Sequence, residues 1–124
     1  NVAAQAREYA DQIDERGVAL GGVARGTIQA VSRQTQLREY PLEAGDWRSH
    51  VQAMRDALAT FGRGVRKAID DTTALTDAVS ADLFTEISRA VDKSLWMVEA
   101  HVQDTPADTK QAEGRSASGA ELRS

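Results

Sequence analysis

Asp11 and Glu15 stand four residues apart in the stretch Asp11-Gln-Ile-Asp-Glu15-Arg16-Gly-Val-Ala-Leu20, which ends on the pair Gly21-Gly22. On a helix that spacing puts both carboxylates on one face, a turn apart, and Glu8, three residues before Asp11, extends the stripe to three acids. Like charges so placed destabilise a helix by roughly 0.2–0.5 kcal/mol per pair unless a cation offsets the repulsion. The chemistry they offer is half of a metal site, oxygen ligands on one helix with the remaining ligands supplied from elsewhere. The alternative is a solvated acidic face in which Arg7, four residues before Asp11, acts as the salt-bridge partner.

The elements that must position this pair can be read from periodicity. Val2, Ala6, Tyr9, Ile13 and Leu20 form an apolar stripe, predicting a first helix from about residue 2 to Leu20 that Gly21 closes in the left-handed conformation. A stripe that begins at once leads to the expectation that sequence precedes Asn1, although Asn1 is itself a good N-cap. Residues 21–45 form a long connection, in which Thr27–Arg33 is predicted to make a short helix with Ile28 and Val31 packed inward before Tyr40-Pro41 forces extended backbone. Asp46 is the expected N-cap of a long helix carrying Trp47, Val51, Met54, Leu58, Phe61, Val65 and Ile69. Gly62 and Gly64 in its middle suggest close packing by a neighbouring element or subunit. Asp70–Thr73 and Thr76-Asp77 mark the next turn. A last helix begins near Ser80 with Phe84, Ile87, Val91, Leu95, Val98 and Val102 in register, and Trp96 and Met97 widen it toward burial on more than one side. Residues 104–124 lack periodicity and read as a flexible tail of mixed charge, leaving residues 1–103 as the folded part. These elements describe most of an all-α four-helix bundle with a short helix in its long crossover, the first helix and the start of the second being absent.

Composition narrows the function classes. With 124 residues, 41% hydrophobic and only 5% aromatic, the chain is a single domain, for which helices are the default expectation. A formal charge of −4 supplies no global field for a polyanion, so DNA binding is not supported by this segment. Absence of cysteine rules out a disulfide framework. No apolar run is long enough for a membrane span, and neither a nucleotide loop nor a nucleophile elbow is present, so hydrolase chemistry has no visible basis.

Residues 1 to about 103 resemble the second half of the Dps family, the DNA-protection-during-starvation mini-ferritins of the ferritin-like superfamily. The resemblance is carried by Asp11-x-x-x-Glu15-Arg16 with Leu20-Gly21-Gly22, Gly26-Thr27-Ile28-Gln29, Tyr40-Pro41-Leu42, Val65-Arg66-Lys67-Ala68-Ile69, Ala81-Asp82-Leu83-Phe84 with Ser88-Arg89, and Asp92-Lys93-Ser94-Leu95-Trp96. It implies a ferritin-like bundle that begins here part-way through its second helix. It also implies a homo-oligomer, a hollow dodecamer of two-fold dimers in the cytoplasm or at the nucleoid, which oxidises Fe(II) with hydrogen peroxide and stores the ferric mineral. Asp11 and Glu15 match the metal-binding, catalytic Asp and Glu that one subunit gives to an iron ferroxidase centre across a two-fold interface. In the family the partner gives two His and an Asp from an upstream segment bearing a His-Trp-Asn signature, which does not occur in this sequence. Asp14 and Gly17 also depart from the small or apolar residues more usual there. Glu-x-x-His, by which other di-iron bundles build a site within one subunit, is absent too, which favours an interface site.

The resemblance further implies that acids near Asp82 line a three-fold pore for iron entry. Asp82 matches that motif directly, with Asp77 and Glu86 as neighbours that could equally be acids at a helix start. His50 and His101 fall outside the Asp11/Glu15 motif and read as structural, and Trp47 and Trp96 as packing residues. The competing function is a non-enzymatic helical oligomer that binds or compacts DNA or is purely structural.

Overall fold

The structure, a computed structural model, describes residues 1–103. Four helices follow one another: α1 (Val2–Ala19), α2 (Ile28–Gln34), α3 (Trp47–Ala74) and α4 (Ala78–Gln103), with no strand among the described residues. The expected tail, residues 104–124, lies outside them.

The helix ends obey local chemistry. Asn1 caps α1, its side-chain oxygen accepting from the amides of Ala3 (2.9 Å) and Ala4 (3.4 Å). At the other end the Gly22 amide donates to the Gly17 carbonyl at 2.8 Å and the Gly21 amide to that of Val18 at 2.9 Å, the two bonds of a Schellman motif. Both glycines are required by geometry: Gly21 sits at φ +87°, and a Cβ on Gly22 would lie 2.8 Å from the Gly17 oxygen. Thr27 caps α2 and Asp46 caps α3, the latter accepting from the Ser49 amide at 3.0 Å.

Two boundaries differ from the sequence reading. Asp70–Thr73 do not form the turn but continue α3, with the Thr72 hydroxyl satisfied by the Ala68 carbonyl at 2.7 Å. The turn is only Leu75–Asp77, because a second Schellman pair, Asp77 to Thr72 (2.9 Å) and Thr76 to Thr73 (3.0 Å), closes the helix later. In α2 it is Ala30 that is buried, whereas Ile28 is 84% and Val31 57% exposed. Periodicity identifies an apolar face on so short a helix but not the direction in which that face points.

The core is the seam between α3 and α4, where Leu58 and Val65 meet Ile87 and Val91. Gly62 is buried in that seam, where a Cβ would meet Val91 Cγ1 at 3.4 Å, a van der Waals contact, while one on Gly64 would meet nothing within 4 Å. Arg55–Glu99 and Arg66–Asp92, each at 3.1 Å, bridge the two helices at the surface. Helix α1 packs on α4 through Val2, Tyr9 and Ile13, but its backbone does not approach α3. A groove therefore runs between α1 and α3 above α4. One end is a cavity of about 320 Å³ lined by Ile13, Phe61 and Phe84, and the other a cavity of about 830 Å³ lined by Val2, Trp47, Met54 and Met97. Trp96 is 67% exposed, so the breadth of the α4 stripe is not matched by burial on a second side within this chain.

Candidate metal half-site

On α1 the residues turned toward the rest of the chain include Val2, Gln5, Tyr9, Ile13 and Arg16. At about 100° per residue, the Asp11–Glu15 stripe lies about 200° round from Tyr9. Both carboxylates are exposed on the face opposite the core. The third acid, Glu8, accepts from Gln12 Nε2 at 3.0 Å. Among the described residues neither Asp11 nor Glu15 forms an ion pair with Arg7, while both carboxylates stand in solvent as a solvated acidic face would have them. Nor, among the described residues, does any group of three or more potential metal ligands converge. Two adjacent carboxylates without further ligands are at most half of a metal site; hard oxygen donors of this kind suit Fe(II) and Fe(III).

The other ionisable candidates fall elsewhere. His50 Nδ1 lies 2.6 Å from the Tyr40 hydroxyl, with the two rings stacked at 5.8 Å. His101 Nδ1 lies 2.6 Å from the Met97 carbonyl, and both histidines line the larger cavity beside Asn1 and Val2. Neither is brought to Asp11 and Glu15. Trp47 carries the Arg48 guanidinium 5.2 Å from its ring centroid.

Asp77, expected among the acids of an entry pore, is committed within the chain. It caps α4, accepting from the Ser80 amide at 3.1 Å and from the Ser80 hydroxyl, and pairs with Arg16 Nη2 at 2.9 Å. Those bonds, led by the Ser80 hydroxyl, hold its carboxyl below the usual carboxylate range. Asp82 stands exposed on the second turn of α4, with Glu86 one turn beyond. The Tyr9 phenol is pushed up, first by burial and then by the charge of Glu86.

The residue that sequence reading passed over is Arg16. Its signal was its phase: Val2, Tyr9, Ile13 and Arg16 fall at one helical azimuth, so a cation occupies a position where the stripe calls for an apolar side chain.

The Ferritin-like domain family model matches residues 2–107. The chain is 44% identical over 100 residues to the DNA protection during starvation protein of Agrobacterium fabrum, covering 81% of this chain and 62% of that protein. Against the protein of the same name from Mycolicibacterium smegmatis it is 30% identical over 97 residues, covering 78% of this chain and 52% of the relative. The chain thus spans little more than half the length of these relatives. Among solved structures, Dps92 of Deinococcus radiodurans superposes with a TM-score of 0.72 at 24% identity, covering 81% of this chain and 60% of that one, and so shares the fold.

Proposed function

Because the chain belongs to the ferritin-like domain family and, within it, to the Dps proteins, we propose that it is a subunit that oxidises Fe(II) with hydrogen peroxide and stores the ferric product inside a hollow dodecamer. The observation that carries this reading is the Asp11–Glu15 pair, exposed and turned away from the subunit's own core, on the face a second subunit can reach. Val18, seven residues after Asp11 and so on the same helical face, is exposed, as are the apolar residues Leu20, Val23, Ile28 and Val31 in the segment that follows, apolar surface of the kind a two-fold partner would cover. The partner would supply the nitrogen and oxygen ligands that this chain does not bring together.

In this reaction iron is the substrate. Asp11 and Glu15 hold Fe(II) by charge and favour the harder Fe(III) that forms. Two Fe(II) ions each give up one electron, the peroxide O–O bond breaks, and both oxygens leave as hydroxide or water. Because Fe(II) and peroxide together generate hydroxyl radicals, their joint consumption accounts for DNA protection without DNA contact, as a net charge of −4 favours. Asp82 is the carboxylate we assign to iron entry, Asp77 being engaged by Arg16 and Ser80. Residues 1–103 form the bundle portion of the subunit. No helix among the described residues is long and apolar enough to cross a membrane.

The test is Asp11→Asn with Glu15→Gln, which keeps shape and removes both anionic ligands. Stopped-flow absorbance after mixing Fe(II) with peroxide should show rapid oxidation lost, while size-exclusion chromatography shows an unchanged assembly. Wild-type rates in a correctly assembled double variant would overturn the assignment and favour a non-enzymatic oligomer.

A further inference from the structure

We propose that Arg16 is the positioning residue of the carboxylate pair: by clamping the last turn of α1 to the start of α4 it fixes Glu15 in the phase that points to the metal. The proposal rests on the iron-binding reading of Asp11 and Glu15.

Past Ile13, every residue of α1 except Arg16 is exposed, namely Asp14, Glu15, Gly17, Val18 and Ala19. Gly17 adds a weak helix former, and a Cβ placed on it would meet nothing within 4 Å. A terminal turn without buried contacts frays, and Glu15 immediately precedes that turn. Beyond the backbone bonds that close α1, this turn is tied to α4 by the side chain of Arg16. Arg16 Nε donates to Ser80 Oγ at 2.9 Å and Nη2 to Asp77 Oδ1 at 2.9 Å, so its planar fork is met at two points. Neither acceptor is loose: Asp77 caps α4, Ser80 is buried and donates its amide to Asp77, and the same helix carries Ile87 and Val91 into the core.

Two consequences follow from adjacency. With Arg16 directed at α4, Glu15 is turned about 100° away from it, whereas Asp11 lies between Tyr9 and Ile13, whose packing already sets its direction, so the clamp keeps Glu15 in phase with Asp11. The charge of Arg16 is also taken up by Asp77. Without Asp77 the guanidinium would be released beside Glu15 and would compete with the metal for it.

Co(II), which peroxide-free buffer leaves unoxidised, serves as the probe, and its affinity is measured by titration calorimetry on the assembled protein. Arg16→Gln should weaken Co(II) binding on the order of 10–100-fold, the range for loss of a group that orients a ligand. Arg16→Lys, which keeps the charge, should recover part of the loss. Hydrogen exchange should show lost protection in the last turn of α1 in Arg16→Gln, with α3 and α4 unchanged. Should Arg16→Gln fail to assemble, Asp77→Asn decides, because Asn still caps α4 but no longer neutralises Arg16; it should weaken Co(II) binding too. Wild-type Co(II) affinity in assembled Arg16→Gln, or in Asp77→Asn, overturns the proposal. Asp11→Asn with Glu15→Gln separates the two readings. If it abolishes Co(II) binding while Arg16→Gln does not, only the role of Arg16 falls; if it leaves binding intact, the half-site falls with it.

Discussion

Thr76 occupies the position in the α3–α4 turn that Gly21 occupies after α1: each is the residue just beyond the helix in a Schellman motif, and each has positive φ, +58° for Thr76 and +87° for Gly21. A β-branched residue in the left-handed region costs roughly 1–2 kcal/mol, whereas glycine adopts it freely. Thr76→Gly should therefore stabilise the protein by about 1 kcal/mol, less than the full strain because glycine also loosens the unfolded chain. Gly21→Val should destabilise it by about 1–2 kcal/mol, and thermal melts of the two variants should move in opposite directions. The two aspartate caps add a pH dependence. Asp46 and Asp77 are held below the ordinary carboxylate range chiefly by the hydroxyls of Ser49 and Ser80. A folded-state pKa below the unfolded value gives stability that is present above about pH 3.9 and lost as pH falls through the folded-state pKa. Asp46→Asn, which keeps the cap but cannot titrate, should therefore flatten the acid limb of melting temperature against pH; an unchanged limb would show that Asp46 contributes nothing to it.

Among the elements, what could be read from the chain tracks how much each helix depends on its own neighbours. The stripes of α3 and α4 pack against one another, so Leu58, Val65, Ile87 and Val91 fall where their spacing placed them. Caps are equally local, and Asn1, Thr27 and Asp46 act as their residue types dictate. Helix α2 was misread in phase because Ile28 and Val31 are not covered by this chain, and spacing alone does not say what covers a face. The end of α3 was placed too early, since Asp70–Thr73 have turn-like side chains but their backbone is held by the helix behind them. Of the candidate site, the i, i+4 spacing that puts Asp11 and Glu15 on one exposed helix face was legible, while the contacts of Arg16 were not, because Asp77 and Ser80 are more than sixty residues away in sequence. The α3–α4 seam is also where a core deletion should matter most. Ile87, fully buried, loses contacts on every side when truncated, so Ile87→Ala should cost about 2–5 kcal/mol. Val79→Ala, on the exposed side of the same helix, should be near neutral in the same denaturant titration.

At the scale of the whole molecule, the carboxylate face and the apolar residues that follow it have to be considered together. On the proposed reading Asp11 and Glu15 are a metal site that one subunit leaves incomplete, and Val18, Leu20, Val23, Ile28 and Val31 are apolar residues left exposed to water. If one two-fold partner answers both needs, assembly and chemistry are coupled, and a substitution remote from the ligands should remove both. Ile28→Glu places a charge on the apolar face of α2 without touching the α3–α4 seam or the Arg16 clamp. Circular dichroism should show the helices retained, and sedimentation velocity should show the assembly broken into smaller species. Fe(II) oxidation by peroxide should then fall with the fraction of dissociated subunit, although Asp11 and Glu15 are intact. Raising protein concentration should restore both together, because association is the step that was weakened. Full oxidation activity in a dissociated Ile28→Glu variant would mean that the ligands are gathered within one subunit, and the shared-site reading would have to be abandoned.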